Sequence, residues 1–211
     1  MSLSPGARRV TLTAHVASSV GWLGAVAGFL ALSIVALTTG DADLVRSSYL
    51  AMNVLGEFLI VPLSLAALVT GLMQSLGTHW GLVRHYWVLT KFALTMVATS
   101  LLLLHQFTAV AEAARVAAGT AIGALPEVDG LGKQLLFDSG AAVFVLLVTT
   151  TLSIYKPWGR TGFEQREIAA NFDSAQPVRS PLGFRLFAAI VGLIVATIVV
   201  VHLAGGGMGR H

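Results

Sequence analysis

The stretch of sequence that decides the fold runs from Val10 to Leu37 and reads VTLTAHVASSVGWLGAVAGFLALSIVAL. It lies between Arg9 and Asp41, and no charged residue occurs between these two. An α-helix crosses a bilayer with roughly 20 apolar residues, whereas the apolar core of a cleavable signal peptide has only about 7 to 15. The stretch therefore predicts a transmembrane helix that is retained in the protein.

The composition of the whole chain agrees with a membrane protein. Of 211 residues, 55% are hydrophobic and 11% are charged, and the mean hydropathy is +0.81, whereas about a quarter of the residues of a soluble domain carry charge. We expect one all-α integral membrane domain over residues 1–211. The 13 basic residues are scattered, which is not the pattern of a nucleic-acid-binding surface. The absence of cysteine excludes disulfides and cysteine-ligated metal sites.

Four further apolar runs complete a predicted bundle of five transmembrane helices. Segments that contain Gly, Pro and charged residues separate these runs. The side of the membrane that holds the N-terminus would carry eight Lys and Arg residues, against four on the opposite side. The positive-inside rule therefore places the N-terminus in the cytoplasm. The predicted spans are about 10–37, 49–76, 87–111, 139–155 and 186–204.

Ionisable residues inside the predicted spans fall into two layers. With a rise of about 1.5 Å per helical residue, Glu57, His105 and His202 lie roughly 7 to 10 Å from the midplane on the outer side. By the same estimate Lys91 lies about 11 Å, and His15 about 15 Å, from the midplane on the cytoplasmic side. Ionisable residues inside a span normally face the bundle interior and pair there. The favoured pair of ligands is His105 with His202, and His15 with Lys91 forms a second site.

Helix one also carries a face of small residues, which would allow another helix or a flat cofactor to come close. The residues of this face are Ala14, Ser18, Gly21, Gly24 and Gly28.

The same polar residues have simpler interpretations. Lys91 could extend its ammonium group to the cytoplasmic interface, and His15 could be an interfacial residue that is hydrogen-bonded to backbone. Glu57 could orient a histidine, carry a proton, or form an interhelical hydrogen bond to Asn53 or Thr70. The sequence does not rank these roles for Glu57.

Histidines on facing helices without any cysteine suit two kinds of cofactor. One is a heme iron with axial imidazoles, and the other is copper or another divalent ion held by imidazole and carboxylate. Heme is the better match, because it needs only one or two protein ligands and an apolar slot, and because the five methionines form no copper-transfer motif. A metal ion would use Glu57, His105 and His202.

A pattern of residues spans the first three predicted helices: His15, Trp22, Gly24, Pro62, Gly71-Leu72, Trp87-Val-Leu-Thr-Lys91 and Leu103-Leu104-His105. This pattern resembles that of the small membrane protoporphyrinogen oxidases that carry b-type heme. In that family a histidine of helix one and a lysine of helix three are the functionally important pair. The resemblance implies His15 as a heme ligand, Lys91 as a catalytic residue and Trp22 as a cofactor-binding residue.

The whole chain is also similar to a group of bacterial integral membrane proteins of unassigned function that is distantly like the copper-resistance D family. The leading hypothesis is a b-type heme-binding, multi-pass protein of the bacterial inner membrane, active in electron transfer or tetrapyrrole handling as a heme-dependent oxidoreductase. The alternatives are a copper or divalent-metal module and a non-catalytic membrane scaffold. The expected partners are the lipid bilayer and a quinone, a tetrapyrrole or a membrane redox protein, without nucleic acid. Assembly into a homo-oligomer is compatible with each of these functions.

Overall fold

A computed structural model describes residues 4–77, 86–128 and 130–155. Within these ranges the chain is helical and contains no strand. Two of the long helices each include one π-helical turn, which divides them into shorter α-helices. The elements are α1 Pro5–Thr38, α2 Ala42–Leu55, a first π-helical turn Gly56–Ile60, α3 Val61–Gly77, α4 Tyr86–His105, a second π-helical turn Gln106–Val110, α5 Ala111–Gly119 and α6 Leu131–Tyr155.

Short polar side chains set the starts of the first two helices. The Ser4 hydroxyl accepts the backbone N–H of Ala7 at 3.3 Å, which satisfies one of the free donors at the start of α1. The Asp41 carboxylate accepts the backbone N–H groups of Asp43 and Leu44 at 2.9 and 3.2 Å at the start of α2. Because so short a link joins α1 to α2, the two helices are antiparallel neighbours.

Four helical segments are long and apolar enough to cross a membrane: Pro5–Thr38, Ala42–Leu76, Trp87–Gly119 and Leu131–Tyr155. They overlap the first four predicted spans and confirm the all-α class. The predicted fifth span, 186–204, lies outside the described residues.

All four segments extend beyond the predicted spans. About two turns at one end were missing from each of the predicted second, third and fourth spans, 49–76, 87–111 and 139–155. Those turns contain charged residues, which lower the local hydropathy. The extra turns pack on one another: Arg46 Nε donates a hydrogen bond to the carbonyl of Ala117, near the end of α5, at 3.0 Å. The helices are therefore longer than their apolar runs.

The helices form a bundle in which α1 packs against α2, α3 and α6, and α4 packs against α3 and α6. Within the described ranges, α1 and α4 are not an extensively packed pair, so they lie diagonally across the bundle. The core between them is mostly apolar and includes the buried residues Trp22, Phe29, Met52, Ile60 and Leu135.

The small-residue face of α1 serves helix packing. A Cβ atom at Gly21 would lie 3.3 Å from a Leu63 methyl, and one at Gly28 would lie 3.8 Å from Leu55, whereas one at Gly24 would meet nothing within 4 Å. The second span therefore approaches α1 closely at two of the predicted positions, as expected for small residues in membrane helices.

The two π-helical turns meet each other inside the bundle. The buried Gln106 side chain reaches from the second turn toward α2, and its Nε2 donates to the carbonyl and to Oδ1 of Asn53 at 3.4 and 3.2 Å. A Cβ at Gly56 would overlap the Gln106 amide, so this approach requires glycine. π-helical turns are often found at functional sites, and His105 directly precedes this one.

Candidate functional site

The first polar cluster lies where α1, α3, α4 and α6 come together. Lys91 Nζ donates a hydrogen bond to Ser153 Oγ at 2.7 Å and lies 3.5 Å from His15 Nε2. On the other side of the ring, His15 Nδ1 lies 3.1 Å from both the carbonyl of Ala67 and the hydroxyl of Thr70. The lysine therefore joins the diagonal helices α1 and α4 through the histidine ring.

The hydrogen bonds of this cluster determine the tautomer of His15. A carbonyl only accepts, so Nδ1 must carry the proton that it shares with the carbonyl of Ala67. Thr70 Oγ1 donates its own proton to the carbonyl of Ala66 at 2.6 Å and is thus also an acceptor for Nδ1. Nε2 consequently presents its lone pair to the bundle interior, toward Lys91.

Glycine at position 71 makes room for the ring. A Cβ there would lie 3.0 Å from His15 Cε1 and 3.4 Å from His15 Nδ1, closer than ordinary van der Waals contact. α3 therefore holds the imidazole both by hydrogen bonds and by contact with its backbone.

The second polar cluster lies between α4 and α6. His105 Nδ1 is 3.1 Å from Asp138 Oδ2, and both side chains are largely buried. The carboxyl group of Asp138 also accepts a hydrogen bond from the Gln134 side chain one turn earlier. Sequence reasoning missed Asp138 because it began the fourth span at Ser139, which left the carboxylate in the preceding loop. The helix begins at Leu131, so Asp138 lies two turns inside it.

The two clusters occupy different depths, as the residue spacing predicts. Lys91 and His105 are about 21 Å apart along α4, and Asp138 and Ser153 are about 22 Å apart along α6, at about 1.5 Å per residue. Two helices thus give the same separation independently. His15 and His105 belong to different sites.

A cavity of about 120 Å³ adjoins the second polar cluster. Its walls come mainly from α1, α4 and α6 and are mostly aliphatic, with polar groups contributed by Trp22, His105, Gln106, Asp138 and Ser139. One atom of these residues, Trp22 Nε1, is buried and lacks a hydrogen-bond partner among the described residues. Trp22 was predicted to bind a cofactor, and the structure places it on this cavity.

The predicted ligand Glu57 does not join either cluster. Glu57 lies in the first π-helical turn with an exposed side chain and does not line the cavity next to His105. Its suggested partners are hydrogen-bonded to other residues, Asn53 to Gln106 and Thr70 to His15.

The predicted ligand His202 lies outside the described residues. Among the residues that the structure does describe, no three His, Asp or Glu side chains are grouped so that they could hold a metal ion. A metal site made of Glu57, His105 and His202 therefore stays a prediction.

Comparison with known proteins found no matching family model, no matching curated protein and no matching solved structure.

Proposed function

We propose that the chain is a b-type heme-binding membrane protein that acts in electron transfer or tetrapyrrole handling. In this proposal His15 Nε2 would hold the heme iron, and Lys91 would bind a carboxylate of the tetrapyrrole. The observation that carries the proposal is the arrangement of His15, whose Nδ1–H is held by the carbonyl of Ala67 while Nε2 faces the bundle interior.

The chemistry of the donor groups fits a heme. Ligating histidines usually donate their other ring N–H to a carbonyl or carboxylate, which orients the ring and makes the ligating nitrogen more basic. His15 shows this arrangement, and the chain has no cysteine that could compete as a ligand. When bound, a heme would supply one-electron chemistry.

The surroundings of Lys91 support an anionic partner. Its described contacts, His15 and Ser153, are neutral, and within the described residues no carboxylate pairs with it. An ammonium group inside a span is costly and normally pairs with an opposite charge. A propionate of a tetrapyrrole would provide that charge. Ligation at Nε2 would require Nζ, which lies 3.5 Å from it, to turn toward the propionate, and the flexible four-carbon stem allows this.

The cavity contributes no support for the heme itself. At about 120 Å³ it is smaller than a cavity of about 150 Å³ that holds one benzene molecule, and it adjoins His105 rather than His15. The proposal therefore depends on the donor groups of the first polar cluster.

An absorption spectrum of the full-length protein, purified in mild detergent after expression with added heme precursor, tests this proposal. We expect a Soret band that is lost in His15→Ala and retained in His105→Ala, which serves as the matched control because it removes the other described intramembrane histidine. Wild-type protein without a Soret band would refute heme binding, and metal analysis would then address copper. Loss of the band only in His105→Ala would instead support ligation by His105 and His202.

We further propose the finer topology predicted from charge. The chain would have five spans in the bacterial inner membrane, with a cytoplasmic N-terminus. The charge distribution of the loops supports this arrangement. A quinone, a tetrapyrrole or a redox protein of the same membrane would be the partner, and Lys91 the catalytic residue that contacts the tetrapyrrole.

A further inference from the structure

The contact between Lys91 and His15 occupies the atom that the heme proposal requires. Nδ1 of His15 carries the proton that it shares with the carbonyl of Ala67, so Nε2 has only a lone pair and accepts from Lys91 Nζ at 3.5 Å. An imidazole nitrogen has one such lone pair, and ligation of a metal there would use the same one. Ligation at Nε2 and the hydrogen bond from Lys91 therefore exclude each other.

The histidine ring is held in place, whereas the lysine can move. Nδ1 of the ring lies 3.1 Å from both the carbonyl of Ala67 and the hydroxyl of Thr70, and a Cβ at Gly71 would lie 3.0 Å from the ring. α3 thus fixes the direction of Nε2. The ammonium group of Lys91 lies at the end of a flexible four-carbon stem, so it is the part of the pair that can turn away.

The cost of turning away depends on the ligand. Among the described residues, the acceptors of Lys91 Nζ are Ser153 Oγ, at 2.7 Å, and His15 Nε2. Hydrogen bonds from a charged donor are stronger than neutral ones, and an ammonium group inside a span needs partners. A carboxylate on the ligand would replace the acceptor that Nζ loses. A ligand without a carboxylate would leave the ammonium with Ser153 alone among these partners.

We propose that Lys91 selects tetrapyrroles that carry free carboxylates, because only such a ligand both accepts the ammonium and releases Nε2 of His15. The lysine closes the site by its contact with His15 and opens it by turning to the carboxylate. This inference rests on the heme binding proposed above. Removal of Lys91 should therefore strengthen the binding of a heme whose carboxylates are blocked, whereas a lysine that only attracted the carboxylate would have no such effect.

Titration of the heme-free, full-length protein in mild detergent, followed by the Soret band, tests this selection. The probes are hemin, with free propionates, and hemin dimethyl ester, in which the propionates are blocked. Lys91→Met keeps the length of the side chain and removes its charge and its donors. We expect the variant to bind the ester about 3-fold or more tightly than the wild type does, and its preference for hemin over the ester to fall about 10-fold. Each probe is compared between variant and wild type in the same detergent, so its partition into micelles cancels.

Lys133→Met is the matched control. Lys133 is an exposed lysine in the first turn of α6, about 30 Å along the helix from Ser153, and its removal should change neither affinity. Ester binding that is unchanged or weaker in Lys91→Met would overturn the proposal and leave Lys91 as a simple partner of the propionate. Wild-type protein that forms no Soret band with hemin would instead refute heme binding itself, and the selection with it.

A second measurement does not depend on heme. In heme-free protein that contains isotope-labelled histidine, the nitrogen NMR resonance of His15 Nε2, assigned by its absence in His15→Ala, reports the hydrogen bond from Lys91. We expect this resonance to shift in Lys91→Met and to stay in place in Lys133→Met. An unchanged resonance in both variants would refute the contact on which the selection depends. If Lys91→Met does not fold, Lys91→Gln serves in both experiments, because its side chain ends one bond short of the position of Nζ.

Discussion

Replacing Gly56 with alanine would test whether the contact between the two π-helical turns holds the second span against the third. A Cβ at position 56 would lie 2.6 Å from Gln106 Cδ and 3.0 Å from its Nε2, so the amide would have to move. Moving it would break the hydrogen bonds from Nε2 to the carbonyl and to Oδ1 of Asn53. Gln106 is 6% exposed, so water would not replace these partners.

The size of the effect follows from three contributions. An unsatisfied buried amide costs about 1–3 kcal/mol, and overpacking a tight interior costs about 1–3 kcal/mol. Alanine in place of glycine stabilises a helix interior by about 1 kcal/mol. The free energy of unfolding should therefore fall by about 3 kcal/mol.

Unfolding by SDS in mixed micelles, followed by far-ultraviolet circular dichroism, would measure this loss. Gly24→Ala is the matched control, because a Cβ there meets nothing within 4 Å and should leave stability unchanged or slightly higher. The double variant Gly56→Ala with Gln106→Ala should be about 2 kcal/mol more stable than the sum of the single effects, since the clash is then absent. Additive effects, or equal stability of the Gly56 and Gly24 variants, would refute the reasoning.

Two other contacts give predictions of the same kind. Gly71→Ala should displace the His15 ring, whose Cε1 would lie 3.0 Å from the new Cβ, and so weaken or shift the Soret band. Gly21→Ala is the control: its new Cβ would meet only a flexible leucine methyl at 3.3 Å, so the spectrum should be unchanged. A normal spectrum in both variants would show that the contact of Gly71 with His15 is unimportant. Arg46→Met should lower the free energy of unfolding by about 1–2 kcal/mol, because the carbonyl of Ala117 would lose its 3.0 Å hydrogen bond from a charged donor. An unchanged SDS midpoint would contradict this.

The helices could be predicted from the sequence because a membrane span requires an uninterrupted apolar run, and four such runs are helices in the structure. The ends of the helices could not be predicted, because turns that carry Arg46 or Lys133 continue the same helix outside the apolar run. The separation of the Lys91 and His105 sites along α4 was also predictable. Few ionisable residues lie inside the spans, and the constant rise per residue of an α-helix gives the position of each along its helix.

The partners within each layer were not predictable in the same way. Ser153 and Asp138 became part of the clusters because α6 packs beside α4, and no periodicity within one helix contains that information. Serine is also common in membrane helices without any polar partner. Gln106 follows His105 directly, yet its role depends on the absence of a side chain at Gly56 on another span.

The lining of the cavity extends along α4 from near the first polar cluster to the second. Along α4 its lining begins at Leu94, about 4.5 Å above Lys91, and continues past His105 to Val110, a length of about 24 Å at about 1.5 Å per residue. On α1, Trp22 lies two turns above His15 and on the same cavity. Neither His15 nor Lys91 lines the cavity, whereas His105 and Asp138 do. The cavity therefore belongs with the second polar cluster, although its lining approaches the first.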